Sequence, residues 1–135
     1  DSRKMSKSYN NYIALSDQPE TIRKKVQSMF TDPKRIHLKD PGHSHKCNVF
    51  SYYAVFFPEM KQEAEKRCAK STIGCTECKK ELAGKIIGLL APIQEKRQAL
   101  IKDKKHIQEI LAAGKTRASA IAAETISEVR DLLRI

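Results

Sequence analysis

The 135-residue chain reads as an all-α helical bundle that carries a four-cysteine metal site. Three observations predict this. No segment alternates apolar and polar residues as a half-buried strand does. Apolar residues recur at helical spacing in several windows, most of them bounded by capping, glycine or proline signals. Four cysteines, Cys47, Cys68, Cys75 and Cys78, fall where those windows begin and end.

Residues 1–16 read as a loop and linker. They contain Lys4-Met5-Ser6-Lys7-Ser8, two lysines and two small hydroxyls without a glycine-rich turn before them. This looks like half of a phosphate site. Asp17-Gln18-Pro19-Glu20 then predicts a helix start, with Asp17 as the cap, Pro19 in the first turn and Glu20 at capping-box spacing. Ile22, Val26, Met29 and Phe30 share one face, and the helix stops before Pro33. Residues 31–46 form a polar, basic loop with a turn signal at Asp40-Pro41-Gly42. His37, His43 and His45 lie in it.

Residues 47–57 are the most apolar stretch and read as a short buried helix. Residues 59–70 form a charged helix with Met60, Ala64 and Cys68 at helical spacing. Ser71-Thr72-Ile73-Gly74 ends it. A long helix follows from about Thr76 to about Ile101, with Ile86, Leu89, Leu90, Ile93 and Leu100 as its core face and a kink at Pro92. Gly84 and Gly88 either admit a close neighbour or merely weaken this helix. A further helix near 104–113 ends at Gly114, a C-terminal cap signal. An alanine-rich helix, 115–133, closes the chain.

Lys and Arg number 26 against 16 Asp and Glu, a formal net charge of +10. Such a balance favours a polyanionic partner, nucleic acid above all. No apolar run approaches the roughly 20 residues that span a bilayer, so no membrane anchor is expected. With no secretory signal visible, the cysteines favour metal binding or redox chemistry over structural disulfides.

Their spacing is C-x20-C-x6-C-x2-C. Cys75 and Cys78 sit at a predicted helix start, where backbone amides stabilise thiolates. Cys47 opens one helix and Cys68 ends the next, so a hairpin of the two brings all four sulfurs together. Buried inert thiols are one alternative. A thioredoxin-type pair is another, but it wants a βαβ setting that is absent. Within the metal reading, zinc and a [4Fe–4S] cluster both take four thiolates. His43 or His45 could replace one sulfur in a zinc site.

Lys4-Met5-Ser6-Lys7-Ser8 resembles the signature loop (KMSKS) of class I aminoacyl-tRNA synthetases. Its continuation resembles the bacterial tryptophanyl branch: Tyr9-Asn10-Asn11, Thr31-Asp32-Pro33, Asp40-Pro41-Gly42, Cys47-Asn48-Val49-Phe50, Leu90-Ala91-Pro92-Ile93-Gln94-Glu95-Lys96-Arg97 and Ala122-Ala123-Glu124-Thr125-Ile126. The resemblance covers nearly the whole chain. The cysteine pattern resembles the subgroup with a [4Fe–4S] cluster, zinc being the alternative occupant.

The resemblance implies a C-terminal fragment of a tryptophan–tRNA ligase. Residues 1–16 would be the catalytic loop and linker, and 17–135 the helical domain that binds the tRNA anticodon. Lys7 and Lys4 would stabilise charge on the departing pyrophosphate. Met5, Ser6 and Ser8 would line the ATP site, with Mg accompanying ATP in the full-length enzyme. Arg35, Lys39, Lys66, Arg67, Lys79 and Lys80 would hold tRNA(Trp). ATP and tryptophan would be bound through an N-terminal domain not in this chain. The full-length enzyme would be a cytoplasmic homodimer, the fragment alone would be inactive, and its signature loop, lacking its partner, would be disordered or misplaced. The rival is a non-enzymatic, metal-stapled RNA- or DNA-binding module with Lys4–Ser8 as an accidental basic tail.

Overall fold

The computed structural model describes residues 4–134. Among them the regular elements are helices: α1 (Pro19–Gln27), α2 (Asn48–Phe56), α3 (Lys61–Ala69), α4 (Cys75–Lys102) and α5 (Lys104–Leu133), with short 3-10 turns at Ser44–Lys46 and Pro58–Met60. The all-helical expectation holds. Among the described residues, no helix is long and apolar enough to cross a membrane. The chain divides into two compact units, residues 1–92 and 93–135.

The first unit contains the core. Ile22 and Val26 of α1, Val49 and Tyr53 of α2, Phe57 just after it, and Leu82, Ala83, Ile86 and Leu90 of α4 bury one another. Each large apolar side chain buried this way contributes about 1.5–3 kcal/mol before entropy is charged against it. Helix α1 starts differently from expectation. Its N-cap is Gln18, without a side-chain capping bond. The Asp17 carboxylate instead accepts the Ala14 N–H (2.9 Å) and meets Lys25 Nζ (2.7 Å). A full charge on Lys25 outcompetes the weaker amide donors of the helix start. The helix ends at Gln27, short of Met29 and Phe30.

Helix α4 has no interruption at Pro92, although the proline brings no N–H to the Gly88 carbonyl. Its core face is shorter than expected. Ile86 and Leu90 are buried, but Leu89, Ile93 and Leu100 are exposed. A methyl group added at Gly84 or Gly88 would meet open space, so no close neighbour of the kind allowed for from sequence lies against either among the described residues.

In the second unit, Asp103 caps α5 by accepting the His106 N–H at 3.0 Å. The expected break at Gly114 does not occur: α5 runs through it as one helix of 30 residues. A glycine cap needs a left-handed backbone, and no glycine here has positive φ among the described residues. One interior glycine costs a helix only about 1 kcal/mol against alanine, which the flanking Leu111-Ala112-Ala113 and the alanines beyond offset. No described residue of α5 is buried.

Candidate functional site

The signature loop forms a turn closed by its own hydrogen bonds. The Ser6 N–H donates to Asn11 Oδ1 (2.8 Å), the Tyr9 N–H to Ser6 Oγ (3.2 Å) and the Asn10 N–H to the Lys7 carbonyl (3.1 Å). Asn10 accepts the left-handed conformation this requires, with φ of 49°. Met5 is anchored through its sulfur, which accepts the Tyr52 hydroxyl at 3.5 Å. Lys4, Lys7 and Ser8 are exposed, and Ser6 is half-buried. A cleft of about 320 Å³ opens beside the loop, lined by Met5, Asn11, Tyr12, Met29 and Tyr52 among others. Lys25 Nζ stands 4.6 Å above the Tyr12 ring.

The second constellation is the cysteines. Cys47 is the N-cap residue of α2, Cys68 sits in the last turn of α3, and Cys75 and Cys78 begin α4. None is in a disulfide. The sulfurs share one electrostatic neighbourhood. Burial pushes the Cys78 thiol up to about 12, and charge on Cys47, Cys68, Glu81 and Cys75 pushes the same way. Burial also raises Cys68; Arg35 opposes the shift, while Cys47 and Cys75 add to it. Among the described residues, no three His, Cys, Asp or Glu side chains converge as a ready metal-ion site.

The loop 31–46 runs beside Cys68 and Cys75, held by Asp32, Asp40, Arg35 and Gly42. Asp32 is buried and accepts from the Lys34 N–H (3.0 Å) and the His43 N–H (2.8 Å), and its Oδ2 lies 2.7 Å from His43 Nδ1. Burial alone would raise its carboxyl, but the Lys34 and His43 bonds win and hold it at about 2. Asp40 accepts the Ile36 and His37 N–H groups. Arg35 reaches across to Ile73 and to Cys68 and Cys75. Gly42 donates its N–H to the Cys68 carbonyl (3.1 Å), and a Cβ there would collide with Cys68 Sγ. Sequence reasoning gave Asp32 no part in shaping this loop, and Gly42 no more than a turn. Both lie in stretches that carried the resemblance, Thr31-Asp32-Pro33 and Asp40-Pro41-Gly42, but locally an Asp-Pro or a Pro-Gly step marks only a turn.

The six basic residues expected at the tRNA surface divide into two sets. Lys39, Lys66 and Lys80 are exposed, Lys80 within 3.6 Å of Glu77. Arg35 is turned inward, Arg67 makes a two-pronged pair with Glu81 (2.9 and 2.8 Å), and Lys79 donates to the Gln27 carbonyl at 2.8 Å. His43 is engaged with Asp32, and its ring meets His45 edge-on at 6.0 Å.

The lysine–serine turn thus stands beside an open cleft at the head of a helical unit. The chain belongs to the class I tRNA synthetases (W and Y), whose family model matches residues 1–91. It is 39% identical to the tryptophan–tRNA ligase of Aquifex aeolicus over the whole chain and 35% of that protein. It is 42% identical to that of Chlamydia caviae, over 98% of the chain and 39% of that protein. The crystal structure of tryptophanyl-tRNA synthetase from Campylobacter jejuni, complexed with ADP and tryptophan, superposes with a TM-score of 0.89 at 29% identity, over 100% of this chain and 42% of that one. The chain thus spans about two fifths of the length of the relatives it matches.

Proposed function

We propose that the chain is the C-terminal part of a tryptophan–tRNA ligase, with residues 1–16 as catalytic loop and linker and 17–135 as the tRNA-binding domain. The observation that carries this is the likeness to tryptophanyl-tRNA synthetase over the whole of this chain, signature turn included. In the complete, cytoplasmic, homodimeric enzyme, a tryptophan carboxylate oxygen attacks the α-phosphorus of Mg-bound ATP. The bond to the bridging oxygen breaks, giving tryptophanyl-adenylate and pyrophosphate. Negative charge builds on the leaving pyrophosphate, and Lys7, with Lys4 beside it, stabilises that charge. The 3′-terminal hydroxyl of tRNA(Trp) then attacks the adenylate's carbonyl carbon, taking the tryptophanyl group as an ester and releasing AMP. Both lysines are exposed on a turn held by few bonds, which suits a loop that closes over ATP and reopens. Lys39, Lys66 and Lys80 have the exposure that phosphate contacts need. On this reading tryptophan is bound by a part of the enzyme other than these 135 residues, and the chain alone is inactive.

The four cysteines are proposed as ligands of a [4Fe–4S] cluster, with zinc as the alternative occupant. Four thiols in one neighbourhood, none in a disulfide, form a soft donor set that suits either group. The unfavourable ionisation of Cys78 is what a bound cation would reverse, since metal ligation displaces the thiol protons. Once bound, such a group supplies a staple between the starts of α2 and α4 and the end of α3.

The test is tryptophan-dependent exchange of pyrophosphate into ATP by the full-length protein. Lys7→Ala is expected to lower the exchange rate about 10²–10³-fold, the loss seen when one donor to a developing charge is removed. Exchange that ignores tryptophan, or that Lys7→Ala leaves intact, rejects the reading.

A further inference from the structure

We infer that Arg35 is a positioning residue of the four-cysteine site, joining the basic loop to the start of α4 and facing two of the sulfurs, instead of reaching out to a nucleic-acid phosphate. This rests on the reading of the cysteines as metal ligands. Four contacts of one guanidinium carry it. Nη2 donates to the Ile73 carbonyl at 2.8 Å and to the Leu38 carbonyl at 3.1 Å. Nη1 faces Cys68 Sγ at 3.7 Å and Cys75 Sγ at 4.0 Å. The planar fork points its donors in fixed directions, so the two carbonyls that hold Nη2 also aim Nη1.

The placement matters because Ile73 is buried and lies two residues before Cys75. The bond to its carbonyl therefore ties the loop to the segment that delivers the Cys75 sulfur. Gly42 completes the packing. A Cβ at that position would stand 3.4 Å from Arg35 Cδ and would strike Cys68 Sγ, so the glycine lets loop, guanidinium and sulfur share the space.

Arg67, the other arginine near a cysteine, makes a useful contrast. Its Nη1 and Nη2 each donate to the Glu81 carboxylate, which returns a negative charge to the surroundings of Cys78. Among the described residues, Arg35 meets two carbonyls and two sulfurs and no carboxylate. Its full charge faces the thiolates that a metal would hold. Donors to ligand sulfurs and nearby charge are the levers by which a protein orients such ligands and tunes an iron–sulfur group. A cation beside the sulfurs favours the more negative, reduced state of a cluster.

The experiment begins with iron, sulfide and zinc analysis of the anaerobically prepared protein. Arg35→Gln, Arg35→Lys and the exposed-cation control Lys66→Gln are then compared with it. The readouts are helicity, metal release to a chelator, the reduction potential where iron is bound, and affinity for tRNA. Arg35→Gln should release metal about 10–100-fold faster, the scale of losing a residue that orients a metal ligand. It should also shift the potential to more negative values. Arg35→Lys should restore the potential, because the charge returns, without restoring retention, because the fork does not. Lys66→Gln should change neither. A wild-type protein with neither iron nor zinc overturns the cysteine reading and this inference with it. A metal-loaded wild type whose Arg35→Gln variant keeps the same release rate and potential overturns this inference alone, as does loss of tRNA affinity with both unchanged.

Discussion

Replacing Leu82 by alanine should unfold the first unit at much lower denaturant, while replacing Leu132 should be almost silent. Leu82 is fully buried on α4, within the cluster formed with Ile22, Val26, Val49 and Tyr53. The substitution removes three carbons, about 2.4 kcal/mol at roughly 0.8 kcal/mol per buried methylene. Rigid neighbours on three helices cannot collapse fully into the space, and the residual cavity takes the loss to about 3–4 kcal/mol. Leu132 is 84% exposed on α5. Its loss should stay within about 0.5 kcal/mol, since solvent already surrounds it. Urea unfolding followed by helical circular dichroism measures both. With a slope near 1.5 kcal/mol per molar, the Leu82→Ala midpoint falls by about 2 M. If the two variants shift the transition equally, the division into a buried-core unit and a solvated helical unit is wrong.

The acid limb of stability should trace to Asp32. Its folded value of about 2 lies below the ordinary 3.8, so its contribution is complete above about pH 3.8 and is lost as pH falls through about 2. The stability gap between wild type and Asp32→Asn should therefore be constant from neutral pH to about 4 and close near 2; a gap independent of pH would refute this. Gly114→Ala should stabilise α5 by about 1 kcal/mol and raise its helicity, because the added methyl meets open space. A loss of helicity would mean that a cap forms there after all. Gly42→Ala should drive Cys68 Sγ from its position, read as loss of bound metal with the helices intact; undiminished metal content would refute it. If Lys39 and Lys66 contact tRNA phosphates, replacing each by glutamine should reduce the salt dependence of binding by about one counterion. An unchanged slope would remove that lysine from the interface.

Much of this architecture was legible because its signals are local. Helices α2 and α3, and the start of α4, follow from an apolar run, a proline, a glycine break and cysteines at helix ends, all readable within a few residues. The likeness to a synthetase was legible for the same reason: Lys4–Ser8 is contiguous. The misreadings share a different cause. Asp17 had the spacing of a cap, but its charge partner is Lys25, two turns away and beyond any capping rule. Gly114 had the look of a stop, but a stop needs a backbone conformation that residue identity permits without requiring. The stripe of Leu89, Ile93 and Leu100 told which side of α4 is apolar and could not tell whether anything covers it.

Arg35 shows the same limit at the site itself. From sequence it is one cation in a basic loop, and phosphate is the natural partner for such a residue. Its Nη1 contacts lie 33 and 40 positions away, and the Ile73 carbonyl 38. No window-based reading sees such partners, because only the folded chain brings the end of α3 and the start of α4 to the loop. The one hint was chemical: an arginine, with its fixed fork, stands in a loop where Lys34, Lys39 and Lys46 supply the other cations. A point charge on a flexible stem serves phosphate as well as a guanidinium does. Two carbonyls and two sulfurs held at once call for the rigid fork.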